Sequence, residues 1–161
     1  MIILGIDPGI AIVGYGVLKK VGNKLLHLEH GIISTPAKTP QEERLLKISI
    51  QLNELLDDHT PDAVAIEELF FGVNTKTAMA VSEARGVLLL EMTKRKIPIY
   101  SYKPVEIKVA VSGYGHAKKP QVMAMVKSLL NLEKIPKPDD AADGLAIAIC
   151  HCNSVRIKSL Q

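Results

Sequence analysis

Apolar residues run unbroken from Ile2 to Ile6 and stop at Asp7, where Pro8-Gly9 turns the chain. A run this short, closed by a turn, predicts a strand buried on both faces. Ile12–Lys19 and Lys24–Ser34 predict two more strands, joined by a turn at Gly22-Asn23. Such short connections favour antiparallel hairpins. The period then changes. Thr39-Pro40-Gln41-Glu42 reads as a capping box with proline at the first helical position. Leu45, Leu46, Ile48, Leu52, Leu55 and Leu56 continue it as a helical stripe to about Asp58. "DAVAIE" predicts the fourth strand, residues 75–95 a second helix, and "IPIYSY" the fifth strand. Pro104–Val111, Pro120–Leu130 and Asp140–Asn153 follow as helices, and 154–161 as a flexible tail. Three early strands followed by βαβ crossovers predict an α/β fold with a mixed five-stranded sheet, antiparallel at first and then parallel, flanked by helices. The predicted domain is 1–153, with no internal repeat.

The acids fall at particular places in this pattern. Asp7 ends the first strand and Glu67 the fourth. Alternation puts Ile3, Gly5 and Asp7 on one face, and Ala63, Ala65 and Glu67 on one face. Glu68 falls on the opposite face. Small residues two positions before each acid leave room for a helix to pack closely. The Ala- and Gly-rich "DDAADGLAIAIC" suits that helix, and its Asp140 and Asp143, three apart, share a helical face. Asp139 points elsewhere and reads as the helix cap. Asp7, Glu67, Asp140 and Asp143 are thus expected to converge. Carboxylates gathered in this way need either raised pKa values or divalent cations. An oxygen-only donor set favours Mg²⁺, two per site, with Mn²⁺ as a substitute. Paired cations of this kind suit phosphodiester hydrolysis.

Composition narrows the picture. The chain has 161 residues, 47% hydrophobic and 23% charged, with two Phe and no Trp, so its core must be aliphatic. No stretch reaches the roughly 18 apolar residues of a membrane helix. Met1 leads straight into a strand-like run with no secretion signal, which predicts a cytoplasmic protein. The formal charge is +3. Residues 1–100 carry 11 Lys/Arg against 12 Asp/Glu, and residues 101–161 carry 9 against 5. A basic C-terminal third is compatible with binding phosphates. Cys150 and Cys152 flank His151, but a zinc site needs further ligands at matching spacing, so they are read as reduced thiols on an apolar helix.

"ILGIDPG", "AIEELFFGVN", "EARGV" and "DDAADGLAIAICH", in this order and spacing, resemble the RuvC-type Holliday junction resolvases, the crossover junction endodeoxyribonucleases. The resemblance covers nearly the whole chain. It implies an RNase H-like fold, a homodimer, and Mg²⁺-dependent symmetric nicking of four-way DNA junctions in recombination and repair. It also implies cooperation with the RuvA–RuvB branch-migration complex. The family's four acids fall on Asp7, Glu67, Asp140 and Asp143, its base-stacking aromatic on Phe70, and its basic DNA-handling positions on Lys108 and Lys119. Asp139 and Glu68 depart from the usual pattern and add negative charge. Arg85-Gly86 lies in the second helix, where glycine allows close contact either with the sheet or with a second subunit. Two other readings share parts of the pattern. One is an RNase H-like nuclease acting on RNA or hybrids. The other is an actin- or hexokinase-like nucleotide-binding module, which normally needs two such subdomains.

Overall fold

A computed structural model describes residues 1–69 and 75–158. The strands are β1 (Ile2–Asp7), β2 (Ile12–Val21), β3 (Lys24–Ser34), β4 (Ala63–Glu67) and β5 (Ile99–Tyr102). The helices are α1 (Gln41–His59), α2 (Thr75–Lys94), α3 (Pro104–Ser112), α4 (Lys119–Leu129) and α5 (Asp139–Lys158). The strands form one sheet in the order β3-β2-β1-β4-β5. β1 pairs antiparallel with β2, and β2 with β3, whereas β1–β4 and β4–β5 are parallel. This is the mixed sheet that the alternation and connection lengths predict.

Strand alternation divides the core between two faces. Leu4, Ile6, Val17, Val64 and Ile66 pack with Ile48, Leu52 and Leu56 of α1 and with Leu88 and Met92 of α2. Ile3, Leu18 and Ala65 pack on the other face with Leu145 and Ile149 of α5, Ile107 of α3 and Val126 of α4. Each fully buried aliphatic side chain contributes about 1.5–3 kcal/mol, so β1 and β4, covered on both faces, anchor the sheet.

Several boundaries differ from those read in the sequence; Asp139, expected as the cap of the last helix, is the first residue of α5, and two further differences have evident causes. Pro40 is the N-cap of α1 and lies outside the helix, without a side-chain cap; its ψ of 146° is extended. Thr39 therefore does not cap the helix, and its N–H instead closes a turn onto the Pro36 carbonyl at 3.2 Å. The other difference is that α5 continues beyond Asn153 to Lys158, because Ser154–Lys158 contains neither glycine nor proline to stop it.

α5 lies almost backbone to backbone on β1 and β2. A Cβ added to Gly5 would sit 2.5 Å from the Ala148 nitrogen, and one added to Gly144 would sit 2.5 Å from the Tyr15 Cα. Helix and strand backbones cannot move aside as a flexible side chain would. Gly5→Ala should therefore cost roughly 1–3 kcal/mol of folding stability, read as a lower urea midpoint with an unchanged slope.

Candidate active site

β1 and β4 run in parallel and in register, with Ile6 opposite Ile66. The next residues, Asp7 and Glu67, are thus side by side at the C-terminal ends of two central strands. Both lie on the α5 face, with Gly5 and Ala65 beneath them. Asp7 also pairs across β2 with Gly14. The backbone of Asp140 rests directly over Gly14, where a side chain would strike it. Bare glycine thus lets the first turn of α5 reach the end of β1. Asp143, one turn along, faces the same cleft.

That cleft has a volume of about 270 Å³. Asp7, Glu67, Asp143, Lys108 and Lys119 line it, with Ile107, Val122 and Ile147 as its apolar wall. Asp140 does not line the cleft, but its charge acts on Asp7. Phe70 lies outside the described residues. Lys119 Nζ donates to Asp143 Oδ2 at 2.8 Å. The adjacent Lys118 is the N-cap of α4, its N–H bonded to Gln121 Oε1 at 2.8 Å. Glu68 and Asp139 do not line the cleft. The Glu68 N–H bonds to the Tyr102 carbonyl at 2.9 Å, and Asp139 pairs with Lys137 at 3.2 Å.

The cleft gathers more acidic than basic side chains. Burial pushes the Asp7 carboxyl up to about 8, helped by Glu67, Asp143 and Asp140. Glu67 is also raised, chiefly by burial and further by Asp143, while a hydrogen bond from Asp7, Lys108 and Lys119 pull the other way. Asp7 thus holds a proton that Glu67 accepts. Burial opposes the charge on Lys119, but its pairing with Asp143, with Asp139 and Asp140 nearby, outweighs this and holds its pKa above the ordinary value. An acid kept protonated near neutrality marks a site short of a counter-cation, and an all-carboxylate donor set fits a hard divalent one. Among the described residues, no three His, Cys, Asp or Glu side chains are already arranged around a common metal position. Asp143 is instead engaged by Lys119.

Two further groups complete the description. Cys150 and Cys152 are buried free thiols, both pushed by burial up to about 11. Successive helix positions point about 100° apart, and His151 instead accepts or donates a bond at Nδ1 with the Tyr102 hydroxyl at 2.8 Å. The second group holds the turn after Asp7. The buried Thr35 hydroxyl donates to the Ile10 carbonyl and accepts from Arg44 Nε at 2.8 Å, while the Thr35 N–H bonds to the Ala11 carbonyl at 2.9 Å. This clamp is invisible in the sequence, where its members carry no motif and stand far apart.

A family model described as "Crossover junction endodeoxyribonuclease RuvC" matches residues 3–151. The chain belongs to the RuvC family. It is 55% identical over 160 residues to the RuvC protein of Alkaliphilus metalliredigens, covering 99% of this chain and 98% of that one. It is 51% identical to the RuvC protein of Halothermothrix orenii, covering 98% and 95%. Among solved structures, T. thermophilus RuvC in complex with a Holliday junction substrate superposes with a TM-score of 0.93 at 37% identity, covering 99% of this chain and 97% of that chain. The yeast mitochondrial Holliday junction resolvase Ydc2 shares the fold, with a TM-score of 0.72 at 17% identity over 98% of this chain and 80% of that one. The sheet of this RuvC-family chain is thus of the RNase H-like type.

The raised pKa of Asp7 has a consequence for stability. Folded, this carboxyl keeps its proton up to about pH 8; unfolded, it loses it near 3.8. Between these values the folded state binds the extra proton, so metal-free stability falls as pH rises, with the full penalty above about pH 8. Asp7→Asn removes that penalty. Without metal, the variant should melt roughly 2–6 °C above the parent at pH 8–9, with the gap closing towards pH 4 in a calorimetric series.

Proposed function

We propose that this chain is a structure-selective endonuclease that resolves four-way DNA junctions by symmetric nicking, leaving 5′-phosphate and 3′-hydroxyl ends. The observation that carries this reading is the cleft itself: Asp7, Glu67 and Asp143, with the charge of Asp140 acting on Asp7, lie beside Lys108 and Lys119 in a chain built like a junction-bound RuvC. We assign Asp7, Glu67, Asp140 and Asp143 as holders of Mg²⁺, two per site, with Mn²⁺ able to replace it. The bound cations would supply an activated water and charge stabilisation at the leaving oxygen.

The chain's own residues do the rest. Asp7, at the end of β1, would give up its proton to hold a cation. Glu67 and Asp143 approach from a second strand and from the helix, so the cleft is held by three independent elements. Lys108 and Lys119 bring positive charge beside the carboxylates and draw the DNA backbone in. Ile107, Val122 and Ile147 keep one wall dry, which strengthens each charge–charge contact within. Phe70, by family position, would stack on an unpaired base at the junction.

A homodimer would present two equivalent sites to a roughly two-fold junction. Its support is an outward apolar stripe on the helix layer opposite α5. Leu46 and Ile50 lie one turn apart on α1, and Met79 and Leu90 project from α2. Gly86 shares the α2 stripe, and among the described residues no atom outside its own stretch of helix backbone lies within 4 Å of a Cβ built on it, so packing on the sheet does not explain this glycine. Cooperation with RuvA–RuvB and a cytoplasmic location belong to the same reading. No helix among the described residues is long and apolar enough to cross a membrane.

Incubation with a mobile four-way junction and with an RNA–DNA hybrid separates this reading from that of another RNase H-like nuclease. The parent should nick the junction symmetrically with Mg²⁺ and not without it, and leave the hybrid intact. Asp7→Asn should abolish nicking while still shifting the junction in a gel, with binding that weakens as salt rises. A variant that cuts at the parental rate would falsify the site assignment. In sedimentation, Leu90→Glu should convert the dimer to monomer.

A further inference from the structure

Lys119 carries a charge that a carboxylate and a DNA phosphate would compete for. Its ammonium pairs with Asp143 at 2.8 Å, in the cleft that also holds Asp7 and Glu67. An ammonium beside a carboxylate repels a second cation at that carboxylate. A DNA phosphate that bonds the ammonium competes with Asp143 for its charge. The pair is open enough to exchange: the Lys119 side chain is 49% exposed and that of Asp143 30%, and ion pairs this exposed are weak.

The two partners differ in freedom. Asp143 belongs to α5, one residue before Gly144, where helix and β2 backbones meet. Lys119 sits at the end of a flexible four-carbon stem, so the lysine is the partner that moves. It also opens α4, where the helix dipole gives a positive charge no help. Its contribution must therefore come from outside its own helix.

We propose that Lys119 is a displaceable counter-ion, which occupies Asp143 in the free chain and yields it to a divalent cation when a DNA phosphate takes the ammonium. Junction and metal then favour each other's binding through this one residue. Linkage makes the effect reciprocal: whatever factor the junction adds to metal affinity, the metal adds to junction affinity. The inference rests on the metal-dependent reading above and deepens it. The competing account is a static lysine that orients Asp143 for the cation, and it predicts the opposite sign.

Calorimetric titration with Ca²⁺, an oxygen-seeking probe, distinguishes the two. It is carried out with and without a four-way junction verified to stay intact. Lys119→Met, which keeps most of the stem, should bind Ca²⁺ about three- to fivefold more tightly than the parent when DNA is absent. The gain in Ca²⁺ affinity that the junction gives the parent should shrink by a similar factor. Lys119→Arg should stay near the parent in both measurements. If the parent binds Ca²⁺ but the Met variant binds it equally or more weakly, the counter-ion role is overturned while the metal reading stands. If the parent binds no Ca²⁺ even with the junction bound, the metal reading is overturned and the proposal with it.

Discussion

The backbone of α5 lies directly on the backbones of β1 and β2, and the arrangement of the cleft depends on that contact. Gly5, Gly14 and Gly16 clear a path across the strands, and Gly144 clears one on the helix. Any side chain at these points would lift the helix off the sheet. Asp140 and Asp143 would then leave the ends of β1 and β4, and the acids would no longer act on one another. The aliphatic residues on either side, Ile3 and Leu18 on the strands and Leu145 and Ile149 on the helix, hold the approach by burial.

This close packing has an electrostatic consequence. It brings acids together where burial disfavours their charge, and Asp7 responds by keeping its proton. The fold therefore carries an unfavourable cluster at the position where a ligand cation would relieve it. Such local conflict is expected at functional sites, where the surroundings over-determine an arrangement that would not persist alone. Here the surroundings include a paired strand on each side of β1 and the Thr35–Arg44 clamp on the turn that follows Asp7.

The other helix layer has a different character. α1 and α2 fill the opposite face with Ile48, Leu52, Leu88 and Met92, while Leu46, Ile50, Met79 and Leu90 point outward. Polar contacts tie the two helices together: Arg95 pairs with Asp57, and Glu91 accepts from Ser49 and Asn53. The sheet thus separates the acid-lined cleft from a helix layer with exposed aliphatic side chains.

By itself the sequence determined the order and type of the elements, the mixed sheet, and the small residues that share a strand face with Asp7 and with Glu67. These follow from local periodicity: alternation needs only the strand's own residues, and Asp140 and Asp143 share a helical face by spacing alone. It also carried the pairing of small residues with acids, although glycine is only a permission until something packs on it. At the start of α1, Pro40 suits both the first helical position and the cap, and only the extended ψ distinguishes them. The tertiary structure decided what depends on contacts between distant segments. It placed Asp143 in the lining of the cleft and Asp140 outside it, paired Lys119 with Asp143, and revealed the Thr35–Arg44 clamp. Lys119 and Asp143 stand 24 residues apart and Thr35 and Ile10 25, and such distances depend on how separate elements rest on the sheet, which no local pattern encodes.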